Sequence, residues 1–397
     1  MKAEKPILYV LAGVNFTHIM FTMVLMPLGD ELMTEFDISA FQFSHLVSVY
    51  ALAAFFSGIA AIFLIDKFNR KTTLLFLFTG FWIAATGCSL AETYNQLLSM
   101  RFVAGAFGGV IGAVALAIVS DLYTFKERGA AIGLLMAGFS AAAALGVPIG
   151  LIIADWFSWR ITFLFVGFLG ILFSFLIFFI FPSLEVKVEK KIPQKGFQPL
   201  LSILGSANQL KALIAAFVII LGHFLIIPFI APYMIRNVGF NMQEISYIYF
   251  VGGLLTIFST PAIGKITDRM GAIQSALIFM FLSFVPVILL TQMVESGLFY
   301  GLLITTLFFV LGSGRMIAPQ TIITAAAPPE TRGAFMSLKS SLQQLSIAVA
   351  GFLSGIMVYT DEIGGKFVNY DWVGYISVVI CILAVFLITK VSVARGN

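Results

Sequence analysis

Twelve apolar runs, each about long enough to cross the hydrocarbon core of a bilayer, constrain this chain more than any other feature. They cover residues 7–29, 44–65, 72–91, 98–120, 130–153, 160–181, 211–233, 243–264, 272–292, 298–325, 333–358 and 372–391. A helix needs about 20 predominantly apolar residues to span that core. The runs are continuous rather than alternating, which predicts helices and argues against a β-barrel. Composition agrees: 60% of residues are hydrophobic and 11% charged, against about 25% charged in a soluble domain. So few charges cannot cover a water-facing surface. The expected class is an all-α membrane protein with twelve transmembrane helices. Pro27, Pro148, Pro228, Pro232, Pro261 and Pro319 fall within or at the ends of runs. They predict kinks, because neighbouring helices can satisfy the freed carbonyls.

The runs are written twice. Asp66 and Asp268, in polar segments between runs, lie 202 residues apart (268 − 66). Arg128 and Arg332, each followed by Gly-Ala, are 204 apart (332 − 128). His18 with Pro27 recurs as His223 with Pro232 at an offset of 205 (223 − 18). Landmarks recurring at nearly one offset predict two six-helix bundles, 1–181 and 211–397, joined by a linker at 182–210 that carries the basic cluster Lys187-Val-Glu-Lys-Lys191. Parallel repeats about an axis along the membrane normal are a recurring transporter plan, with the binding site at their interface.

Charge sets the expected orientation. All but five of the 23 Lys and Arg fall on one side if both termini are cytoplasmic. The exceptions are Arg101, Arg160, Arg236 and Lys366 on the other side and Arg315 within a span. Positive residues favour the cytoplasmic loops, so both termini are placed in the cytoplasm, in a chain expected to be a multi-pass inner-membrane protein. Its net charge of +4 belongs to those loops and not to a nucleic-acid surface. Cys88 and Cys381 both lie in apolar runs, so neither a disulfide framework nor a zinc site is expected. The N-terminal Lys2 and Lys5 lead directly into a full-length span, unlike a cleavable signal peptide.

Gly264, Asp268, Arg269 and Gly271 match the second copy of a Gly-x-x-x-Asp-Arg/Lys-x-Gly-Arg-Arg/Lys loop, and Asp66, Lys67, Arg70 and Lys71 match the first. In the first copy Ile62 stands at the leading Gly, and Asn69 at the second, where Asn is the next best residue at positive φ. Arg101 followed by Gly105, Gly108 and Gly109 forms a fourth-helix pattern. Gly138 with Leu145-Gly-Val-Pro-Ile-Gly150 forms a fifth-helix pattern, and Phe352 stands at the matching place in the eleventh run. In these motifs the chain resembles the major facilitator superfamily, and within it the twelve-helix drug- and sugar-efflux branch of the arabinose-efflux type. That resemblance implies a secondary transporter, not an enzyme, in which two halves rock about a central cavity. It implies gating or conformational roles for Asp66, Arg70, Asp268, Arg269, Arg101, Gly146, Pro148 and Gly150. Glycines at 138, 146 and 150 share one helix face, which lets two helices approach closely.

The residues able to carry chemistry are few. All nineteen acids fall near one membrane face or the other, and none at mid-membrane. Away from the ends of the spans, the charged or imidazole side chains are His18, His223, Arg101, Arg315 and, nearer the cytoplasm, Lys339, and such residues mark substrate or ion pathways by default. An imidazole exchanges protons near neutral pH, so His18 and His223 are expected to carry protons or to hydrogen-bond substrate, with Asp30 as a further coupling candidate and a partner for Arg101. The alternative is that each histidine only satisfies a neighbouring carbonyl. No acid in the spans can neutralise Arg315, so an anionic substrate group is expected there, the alternative being helix-end carbonyls in a structural role. Asn15 and Thr22 share the His18 face, and Gln343 lies one turn from Lys339. The expected activity is export of a small organic molecule coupled to proton entry, by a monomer using no cofactor or metal. The alternative is an uptake symporter or facilitator of the same fold. No nucleotide loop or nucleophile constellation supports an enzyme.

Overall fold

The computed structural model of the chain describes residues 5–64, 68–182, 198–328, 331–361 and 365–392. Twelve helices among them are long and apolar enough to cross a membrane. They are α1 (Lys5–Val24), α2 (Ala40–Ile62), α3 (Arg70–Ser89), α4 (Tyr94–Leu122), α5 (Glu127–Trp156), α6 (Trp159–Ile180), α7 (Ala207–Val238), α8 (Met242–Met270), α9 (Ala272–Thr291), α10 (Leu298–Ala325), α11 (Arg332–Met357) and α12 (Tyr370–Ile388). Short helices Gly29–Glu35 and Gln198–Gly205 precede α2 and α7, and a hairpin pairing Tyr359 with Val368 links α11 to α12. Of the linker expected at 182–210, residues 183–197 lie outside the described residues.

Polar residues set the helix ends. Thr93 and Gln96 form a reciprocal capping box that starts α4 at Tyr94, satisfying two N-terminal donors. Asn241 and Glu244 do the same for α8. At α3 the side chain of Asn69 accepts from the backbone N–H of Lys71 and Thr72, with φ −56°. The positive φ expected at Asn69 is therefore corrected: an Asn able to cap stays in the extended region, where its amide oxygen reaches the first turn. The loop expected to follow the eighth run from Gly264 is corrected too. Its residues are compatible with a helix, so α8 continues to Met270, and only Gly271, at φ +89°, turns the chain. In α5 the turn before Pro148 widens into a π-helix over Ala142–Gly146, because a proline ring clashes with the carbonyl four residues back.

The chain forms two compact units: Met1–Leu25 with Val49–Pro193, and Met26–Ser48 with Gln194–Asn397. The same pairings occur inside each. The first packs α3 on α4, α3 on α6 and α1 on α5; the second packs α9 on α10, α9 on α12 and α7 on α11. Gly138, Gly146 and Gly150 all meet α1, at Ala12, at Met20 and Phe16, and at Val24. Residues 26–48 pack within the second unit. There Asp30 ion-pairs with Arg236, Phe43 meets Phe229 edge-on at 5.9 Å, and a Cβ at Gly351 or Gly355 would strike the hydroxyls of Ser48 or Ser44. Phe168, Phe175, Phe178 and Phe179 stand exposed along α6. An apolar surface of that kind suits acyl chains and not water.

Candidate functional site

Each unit carries one buried cluster built around a histidine. In the first, α1 presents His18, whose Nε2 lies 2.7 Å from the hydroxyl of Tyr50 on α2. The Arg101 guanidinium, 1% exposed, sits 4.7 Å from the ring centres of both Phe21 and Tyr50. Electrostatic attraction to the ring faces offsets part of the cost of burying that cation. Asn15 donates to the Leu135 carbonyl at 3.1 Å, and Thr22 to the His18 carbonyl at 2.8 Å. Both therefore satisfy backbone, and neither shares a hydrogen bond with the imidazole. The pairing expected between Arg101 and Asp30 is corrected. Arg101 lies two turns inside α4, since the capping box starts that helix at Tyr94, and Asp30 is bonded to Arg236.

In the second unit the Arg315 guanidinium on α10 donates through Nη2 to Nδ1 of His223 on α7, and through Nη1 to Cys381 Sγ at 3.2 Å. Phe308 stacks on the imidazole at 5.7 Å with the planes 9° apart. Among the described residues no carboxylate pairs with Arg315, although it is 1% exposed. A guanidinium is donor-only, so Nδ1 must present a lone pair and Nε2 must carry the ring hydrogen. Protonation at Nδ1 and the bond from Arg315 exclude one another.

The histidines follow the internal repeat and so does the space that holds them. Gly108 and Gly312 are 204 residues apart (312 − 108). A Cβ at Gly108 would lie 3.1 Å from His18 Nε2, and one at Gly312 would lie 3.0 Å from His223 Cε1. The partners do not repeat: a phenol faces His18, a guanidinium His223. Only the second arrangement fixes the imidazole tautomer.

Within the second unit a cavity of about 520 Å³ opens between α7, α10 and α11. Its polar lining is Gln320, Thr321, Thr324, Lys339 and Gln343, and its apolar lining includes Ile219, Ile220 and Met316. Gln343 thus lines a ligand-sized space, whereas Arg315 turns to α7 and α12. Of the conformational candidates, Arg70 ion-pairs with Asp121 at 3.1 Å, Asp268 and Arg269 are exposed, and Asp66 lies outside the described residues. Tyr50, Cys381, Gln320 and the two histidine-facing glycines were not singled out as site residues by sequence. The glycine pair carries a detectable signal, the repeat offset; the others look like ordinary span residues.

A model of the Major Facilitator Superfamily matches residues 9–211 and 212–395. The chain belongs to that superfamily. Major facilitator proteins are carriers and not enzymes, and the two matches fall one after the other along the chain, as the repeat does. Among relatives, it is 23% identical over 381 residues to YbcL, an uncharacterised major facilitator transporter of Bacillus subtilis (strain 168), covering 96% of this chain and 95% of that one. It is 25% identical to a Pasteurella multocida (strain Pm70) protein named "Probable sugar efflux transporter", covering 96% and 90%. Among solved structures, a bacterial homologue of the human lysosomal transporter Spinster superposes with a TM-score of 0.82 at 16% identity, over 100% of both chains. A D-xylose–proton symporter gives 0.75 at 15% identity, over 98% and 97%. At that identity the likeness concerns the fold: twelve helices of the major facilitator type, in a multi-pass membrane protein.

Proposed function

We propose that this carrier exports a small organic molecule in exchange for protons, by alternating access of its two six-helix halves. It acts as a monomer in the bacterial inner membrane with both termini cytoplasmic, and needs no cofactor beyond the proton gradient. Export is supported by the naming of relatives such as the Pasteurella protein, and orientation by the lopsided distribution of Lys and Arg. The gating roles assigned to Arg70, Arg101, Asp268, Arg269, Gly146, Pro148 and Gly150, and to Asp66 outside the described residues, belong to this reading. Substrate binding falls to the second-unit cavity with Gln343, and in the first unit to His18, Asn15 and Thr22.

The observation that carries proton coupling is the bond from Arg315 to Nδ1 of His223. A proton arriving at Nδ1 converts the acceptor into a second cation beside the guanidinium, so the two must separate. A protonation event at one atom thereby becomes a displacement between α7 and α10, which is what alternating access requires of a coupling group. His18 and Asp30 are secondary in this scheme: His18 meets a neutral phenol, and the charge of Asp30 is already matched by Arg236. The test is transport in proteoliposomes with an imposed pH gradient, using His223→Gln, whose amide oxygen can still accept from Arg315. The wild type should respond to the gradient, and the variant should fold yet lose the response at least tenfold. Substrate movement in the direction of the proton flux would instead identify an uptake symporter.

A further inference from the structure

The second-unit cavity holds a charge with no counter-charge among the described residues. Lys339 on α11 is 7% exposed and lines the cavity. Among the described residues its ammonium has neither a carboxylate partner nor a hydrogen-bond acceptor. A cation within a transmembrane helix is costly unless it is neutralised or wetted. The side-chain amides of Gln320 and Gln343, which line the same space, likewise make no hydrogen bond among the described residues. Thr324 has already committed its hydroxyl proton to the carbonyls of Gln320 and Thr321, at 2.9 and 3.1 Å, leaving its oxygen as an acceptor. The other walls are mainly aliphatic. A volume near 520 Å³ falls in the usual range for a small-molecule site, with apolar walls and a few convergent polar groups.

We propose that this cavity is an anion site with Lys339 as its fixed charge, and that the transported molecule is an organic carboxylate with an apolar body. The assignment rests on the exporter reading above and names its substrate class. A carboxylate matches one ammonium in charge, and the amide N–H groups of Gln320 and Gln343 supply further donors. A phosphate dianion would leave charge unmatched against a single lysine, and a neutral sugar would leave the lysine itself unmatched. Arg315 plays no part in this anion site, because it does not line the cavity and its guanidinium turns instead to His223 and Cys381.

The test compares acids with their own amides on full-length protein in nanodiscs. The probes are 1-naphthoate against 1-naphthamide and octanoate against octanamide, with D-arabinose as a neutral sugar, followed by thermal shift and by movement in proteoliposomes. Wild-type protein should be stabilised by at least one carboxylate and not by its amide. Lys339→Met should weaken carboxylate binding at least tenfold, Lys339→Arg should restore most of it, and Gln343→Leu should weaken it less. Equal shifts from acid and amide, a carboxylate shift that survives Lys339→Met, or no carboxylate shift at all would overturn the assignment. If Lys339→Met fails to fold, the acid–amide comparison on wild type and the Lys339→Arg variant still decide. Arabinose moved equally by wild type and Lys339→Met would remove the anion assignment while leaving the exporter reading standing. Carboxylates that bind in a Lys339-dependent way but never cross the bilayer would do the reverse.

Discussion

Gly108 and Gly312 give the two histidines their room, and substitution there reads the packing of each imidazole separately. In Gly108→Ala the new methyl meets the Tyr50 hydroxyl as well as His18, so the hydrogen bond between them must open. Overpacking of this kind costs about 1–3 kcal/mol, to be seen as a lower melting midpoint. Gly312→Ala meets only the imidazole edge of His223 and should sit at the low end of that range. Gly112→Ala, on the same helix as Gly108 but with nothing within 4 Å, should match or exceed the wild-type midpoint. Equal losses at 108 and 112 would show that the histidine contact carries no strain. The histidines themselves are legible in the sequence because ionisable residues are rare in apolar runs and these two keep the repeat offset. Their partners are not legible. Whether His18 meets Tyr50 or His223 meets Arg315 depends on how each helix is rotated about its axis, and runs that are apolar all round leave that rotation unmarked.

At the scale of elements, α5 approaches α1 most closely at Gly138, where an added Cβ would strike the backbone carbonyl of Ala12. A backbone oxygen cannot swing aside as a side chain can, so Gly138→Ala should cost about 3 kcal/mol or push the helices apart. Gly133→Ala, in the same helix with open space around it, should gain a few tenths of a kcal/mol from helix propensity. Comparing the two melting midpoints separates helix approach from the general effect of removing a glycine. The Asp30–Arg236 ion pair is partly exposed, at 22% and 20% of the side chains. Asp30→Asn should cost no more than about 1 kcal/mol, losing still less at high salt. Existence and type of the twelve helices follow from run length alone, but their ends do not. Thr93, Asn241 and Asn69 act as caps outside the apolar runs, so hydropathy places α4 to begin several residues too late, and the polar composition of Gly264–Gly271 hides that α8 continues through it.

For the molecule as a whole, the duplicated plan is visible in the sequence as an offset and in the fold as the same pairings within each unit. The packing of residues 26–48 in the second unit is not visible there, since repeat spacing assigns a segment by order and side-chain contacts assign it by fit. Asymmetry between the units is equally hidden. Equivalent histidines meet different partners, and among the described residues only the second unit combines a guanidinium-bound imidazole with a cavity lysine. The account therefore puts proton response and substrate charge in the second unit, on α7, α10 and α11. The most direct measurement is transport in proteoliposomes of a compound first shown to stabilise the protein, driven by a pH gradient of either sign, in wild type and His223→Gln. The prediction is movement opposite to the proton flux that reverses with the gradient in wild type and loses its pH response in the variant. Movement indifferent to the gradient in wild type, or equally responsive in His223→Gln, would contradict it.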